Sequence, residues 1–136
     1  MPTNAIQIKT EPDTYAPFNI SQAYQVGDLI FISGQASIDK NGDVVGVGNF
    51  DKQADRTFEN LEWVLKAAGS DLSKVIKVNI YLTNISNFEK IVNLRKKYFS
   101  APYPADTIVE VSALAIPELE IEIEAIALCD GRIIAS

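Results

Sequence analysis

From Glu118 to Leu128 the chain reads Glu-Leu-Glu-Ile-Glu-Ile-Glu-Ala-Ile-Ala-Leu, alternating acid and aliphatic until the acids run out. Successive side chains of an extended chain point to opposite faces, so the run predicts a strand. Leu119, Ile121, Ile123, Ala125 and Ala127 share one face, and Glu118, Glu120, Glu122 and Glu124 share the other. A second period-two run, residues 102–111, precedes it across a loop containing Ala115-Ile116-Pro117, and the two read as neighbouring strands. Same-face carboxylates about 7 Å apart repel by roughly 0.6 kcal/mol in water and about 2.4 kcal/mol at an effective dielectric near 20. A fully buried row is therefore expensive. Either the row faces water, or one or two of its members enter a cleft, where a raised pKa suits acid or base work.

What surrounds this run is one domain, residues 1–136, with 47% hydrophobic residues and a formal net charge of -6. The acidic balance opposes a phosphate backbone, so no nucleic-acid partner is expected. Histidine is absent and Cys129 is the only cysteine. That removes Ser-His-Asp and Cys-His catalysis, the usual zinc sites and any intrachain disulfide. Carboxylates, hydroxyls, backbone amides and water remain as candidate chemistry, with no metal or cofactor expected. No start segment resembles a signal peptide and no apolar run approaches the roughly 20 residues of a membrane span. The expected location is the cytoplasm.

Residues 5–9, 21–26 and 29–35 read as strands, the last two joined at Gly27-Asp28 as an antiparallel hairpin. Residues 44–48 are too glycine-rich for a firm strand assignment. Asp51 is the expected N-cap of a helix running to about Ala68, with Ala54, Phe58, Leu61, Leu65 and Ala68 as its buried stripe and Gly69 at its end. Trp63 lies off that stripe, at its margin or against another subunit. Ile76, Val78, Ile80 and Leu82 predict the apolar face of a further strand. Ser86 and Glu89 have capping-box spacing for a second helix, expected to bury Phe88, Ile91, Val92, Tyr98 and Phe99. Arg95, Lys96 and Lys97 fall in its last turns, where the helix dipole favours positive charge. The element order predicts an α+β domain, a sheet with two helices on one face. Apolar residues on both strand faces predict a partner for the other.

Pro104-Ala105-x-x-x-Val109-Glu110-Val111 with Ile121-Glu122-Ile123-Glu124-Ala125-Ile126-Ala127 resembles the C-terminal signature of the RidA/YjgF family of enamine and imine deaminases. The likeness extends to Ser21-Gln22-Ala23, residues 26–35, Asn60-Leu61 and Ala67-Ala68-Gly69. It implies a chorismate-mutase-like fold with a mixed sheet, a homotrimer whose sheets close a barrel, and small-molecule clefts between subunits. It also implies hydrolysis of reactive 2-imino acids and enamines to 2-oxo acids and ammonia. By the same resemblance Glu122 matches the water-activating glutamate, and Ser33 and Gly34 the backbone wall of the site. Three positions depart from the family pattern. Asp106 stands where an arginine grips the substrate carboxylate, Ile108 replaces a frequent cysteine, and Ile20 or Phe18 stands near a tyrosine's place.

A carboxylate in place of a bidentate arginine, whose contact is worth roughly 2–3 kcal/mol, predicts poor turnover of anionic 2-imino acids. Two readings follow. In one, Glu122 activates water against a neutral or cationic enamine or imine, with Asp106 gripping the substrate. In the other, the trimer binds a small metabolite without catalysis, as sensor or regulator.

Overall fold

In the computed structural model, which describes residues 2–136, the elements run β1 (Ala5–Ile8), β2 (Ala23–Val26), β3 (Leu29–Ala36), α1 (Phe50–Ala67), β4 (Val75–Leu82), α2 (Phe88–Tyr98), β5 (Ala105–Glu110) and β6 (Ile121–Leu128). The strands form one mixed sheet in the order β1-β2-β3-β6-β4-β5. All pairs are antiparallel except β4 with β5. The strictly alternating run is thus an interior strand, and its Ile121, Ile123, Ala125 and Ala127 are buried with α1 and α2 over them.

The two period-two runs are not neighbours, contrary to the expectation: β4 lies between β5 and β6. The helix connecting β4 to β5 returns the chain in the same direction, so β5 pairs parallel on the outer edge of β4. β6 comes back antiparallel and takes the inner edge. β5 is left at the sheet's margin.

Local chemistry explains the other departures. Asn49, not Asp51, caps α1: its Oδ1 accepts the Lys52 N–H at 3.0 Å, and Asp51 falls in the first turn, where the dipole favours its charge. Ala54, Phe58, Leu61 and Leu65 are buried as expected, Ala68 only half, and Gly69 ends the helix at φ +77°. Trp63 is half-buried, with the Lys40 ammonium 5.3 Å from its ring centre. The Ser86–Glu89 capping box does not form, because Asn84 accepts the Ser86 N–H and winds Ile85–Asn87 into a 3-10 turn first. Within α2 only Ile91 is fully buried. Tyr98 stacks on Phe58 at 4.4 Å and Phe99 is buried just beyond, but Phe88 and Val92 are exposed. A register shift after Val75 puts that residue, rather than Ile76, into the core.

Asn60 of α1 holds the end of β3 in place. Its buried Nδ2 donates to the Ala36 carbonyl at 2.7 Å and the Ile38 carbonyl at 2.9 Å. Asn60→Ala strands both carbonyls, and the expected destabilisation is about 2–4 kcal/mol. Urea unfolding checks this as a lowered midpoint with unchanged slope.

The face of the sheet away from the helices carries Tyr24 and Phe31 as cross-strand neighbours, 41% and 42% exposed. Val109 on the edge strand is equally open at 41%.

Candidate functional site

The four glutamates of the alternating run meet four different surroundings. Glu118 is exposed. The Glu120 N–H donates to Gln53 Oε1 at 2.9 Å, beside α1. Glu124 Oε1 accepts the Tyr81 hydroxyl at 2.5 Å and Asn79 Nδ2 at 2.9 Å. Glu122 alone enters an apolar cleft of about 350 Å³, walled by Tyr15, Phe18, Ile20, Ser33 and Gly34 and closed by Ile116 and Leu119. Burial, and then the nearby charge of Glu124, push its carboxyl above the usual glutamate pKa.

A bulge in β3 builds the wall against which that carboxyl lies. Ile32 pairs with Ala125 and Gln35 with Ile123, so β3 takes one more residue than β6 over this stretch, and Ser33-Gly34 bow out. The Ser33 N–H and hydroxyl are tied down, donating to the Gln22 carbonyl at 2.9 Å and the Ser21 carbonyl at 2.6 Å. A Cβ on Gly34 would stand 2.7 Å from both Cδ and Oε2 of Glu122. Only a glycine admits this approach.

Phe18 and Ile20 both line the cleft, so neither excludes the other from the place near the family's tyrosine. A tyrosine is also present, and the sequence reading missed it. Tyr15 is buried, its hydroxyl donates to the Gly34 carbonyl at 2.5 Å, and burial followed by the Glu122 charge raises its pKa, so it stays a neutral donor. The signal was Asp13, whose Oδ1 accepts the Tyr15 N–H at 3.0 Å and starts the turn. The 3-10 turn Ala16–Phe18 then ends at Asn19 with φ +59°, bringing Ile20 round to the same wall.

Asp106 and Ile108 lie elsewhere in the chain. Across β4, Asp106 is in register with Val78 and Ala125, and Ile108 with Ile80 and Ile123, all on the helix-covered face. Glu122 is in register with Tyr81 and Val109 on the other. Within one chain the two sets therefore point to opposite sides of the sheet. Asp106 and Ile108 line a second cleft, about 510 Å³, together with Phe88, Val92, Arg95 and Tyr103. Arg95 Nε donates to Asp106 Oδ2 at 2.8 Å, with the two side chains 21% and 15% exposed. The position read as a lone negative charge is one half of an ion pair.

A family model described as Endoribonuclease L-PSP matches residues 8–129. The "RutC family protein y4sK" of Sinorhizobium fredii is 39% identical over 121 residues, 89% of this chain and 94% of the relative. The "2-iminobutanoate/2-iminopropanoate deaminase" of Dermatophagoides farinae is 32% identical over 95% of this chain and 98% of its own length. Among solved structures, RidA from the Antarctic bacterium Psychrobacter sp. PAMC 21119 superposes with a TM-score of 0.82 at 35% identity, covering 90% of this chain and 98% of that one.

Proposed function

The chain belongs to the RidA/YjgF family, and from that premise we propose that it hydrolyses a reactive imine or enamine, with Glu122 activating the attacking water. The observation that carries the reading is a carboxyl of raised pKa laid against the Gly34 backbone in an apolar cleft. A base whose pKa lies nearer the working pH is matched to this task. Water adds to the C=N carbon as Glu122 takes one of its protons. Glu122 passes that proton to the nitrogen, and the resulting carbinolamine collapses as Glu122 moves its hydroxyl proton to the nitrogen as well. The C–N bond breaks, ammonia leaves, and a C=O group remains. Glu124 is tied to Tyr81 and Asn79, which leaves Glu122 as the carboxylate free to move a proton.

The reading includes a homotrimer in the cytoplasm that acts without a cofactor. The open sheet face, with Tyr24, Phe31 and Val109 uncovered, supports a neighbouring copy there. In a closed ring the Glu122 cleft of one copy meets the Asp106 cleft of the next, so the site lies between subunits. Among the described residues no helix is long and apolar enough to cross a membrane. The net charge of -6 opposes an RNA substrate.

A second reading, a small-metabolite binding trimer without turnover, draws on Asp106 standing where the family has its carboxylate-gripping arginine. The two are separated by generating 2-iminobutanoate and, in parallel, a neutral imine of the same carbon skeleton in solution and following ammonia release from each. Acceleration above the spontaneous rate supports hydrolysis. Binding of the 2-oxo acid with no acceleration supports the binder.

A further inference from the structure

We infer that Arg95, from the last turn of α2, is the group that binds a substrate carboxylate in the Asp106 cleft, which therefore takes a small organic acid with a short apolar chain. This deepens the proposed hydrolysis and rests on it for the identity of the substrate.

Arg95 is held through one edge of its guanidinium. Its Nε donates to Asp106 Oδ2, yet Asp106 Oδ1 is buried with no hydrogen-bond partner. A bidentate pair would use a terminal nitrogen of Arg95 on that second oxygen. Among the described residues, Nε is thus the only atom of the guanidinium with a hydrogen-bond partner, and the terminal nitrogens keep their donors. Asp106 and the Phe88 ring, 5.8 Å from the guanidinium carbon, hold the group in place without saturating it.

The rest of the cleft fits the same ligand. Phe88, Val92 and Arg95 are spaced four and three residues apart, so they form one stripe of α2. Phe88 and Val92 are 42% and 37% exposed, although a helix of this pattern is expected to bury them. With Tyr103 and Ile108 they give an apolar wall ending at a cation. Lys96 lies on the rim, so Arg95 and Lys96 against Asp106 leave the cleft one positive charge in a chain whose net charge is -6. The expected poor turnover of anionic 2-imino acids rested on the missing arginine and on an uncompensated Asp106, and the Arg95 contact neutralises the second of these.

The test titrates 2-oxobutanoate into the protein by NMR, with 2-butanone as a neutral probe of the same carbon skeleton. Arg95→Gln alone leaves Asp106 buried and unpaired and threatens the fold, so the deciding variant is Arg95→Gln with Asp106→Asn. That exchange replaces a neutral pair by a neutral pair, and any change reports the lost donors rather than net charge. The expected result is at least about tenfold weaker binding of 2-oxobutanoate with 2-butanone unchanged. The same variant is expected to raise KM for an imino acid with kcat nearly constant. Binding of 2-oxobutanoate within about twofold of the parent overturns the inference, as does a parent protein that fails to prefer the acid over the ketone. If Arg95-dependent binding stands but no imine is hydrolysed, the proposed function falls and this inference survives. If hydrolysis proceeds with a KM indifferent to Arg95, the reverse holds.

Discussion

Glu122→Gln lowers kcat for imine hydrolysis by about 10²–10⁴-fold and leaves the folded protein at least as stable as the parent. Glutamine keeps the shape of the side chain and loses the ability to take a proton from water. The stability result follows from the sign of the pKa shift. A glutamate whose pKa is raised on folding favours its protonated form in the native state, so ionised Glu122 weighs against the fold at neutral pH. That burden lifts as pH falls through the raised pKa, and glutamine removes it at every pH. Steady-state kinetics beside thermal unfolding check both halves. A kcat within about threefold of the parent contradicts the role given to Glu122.

Gly34→Ala is expected to reduce kcat by about 10²-fold through geometry alone. Its backbone lies outside the left-handed region, so alanine adds no conformational strain there. The added methyl arrives 2.7 Å from Glu122 Cδ and Oε2, well inside contact distance. The neighbour is the far end of a flexible side chain, so it swings away, and the stability loss stays near the lower end of the about 1–3 kcal/mol typical of overpacking. Activity therefore falls much further than stability. Full activity in this variant would show that the carboxyl does not work from its place against the Gly34 backbone. A kinetic and calorimetric comparison decides it.

Period-two and helical spacing in the sequence carried the sheet, its two helices, the hairpin at Gly27-Asp28 and the inward face of β6, because side-chain direction is a local property of the backbone. Pairing is not local. The alternation of residues 102–111 told which way each side chain points but not that β4 would come between the two runs. Helix starts were misplaced because Asn49 and Asn84 each offer an earlier acceptor than Asp51 and Ser86. The same division holds at the site. Glu122, Ser33 and Gly34 come together in one cleft, since a glutamate on an interior strand and a glycine on its neighbour are both visible as text. Tyr15 escaped because its reach depends on the turn that Asp13 starts by accepting the Tyr15 N–H, a contact that no periodicity reveals. The basic run Arg95-Lys96-Lys97 reads as a helix terminus, and only packing shows that Arg95 turns to Asp106 while Lys97 Nζ meets Asp55 Oδ1 at 2.9 Å.

The most direct trial of the account is a carboxyl-carbon NMR titration of Glu122 run beside the pH profile of kcat/KM for imine hydrolysis. The account predicts that Glu122 titrates above the usual glutamate pKa, that the acid limb of the profile falls at the same pH, and that both move to lower pH in Glu124→Gln. A Glu122 carboxyl titrating at or below the usual value, or an acid limb unrelated to it, would contradict the account.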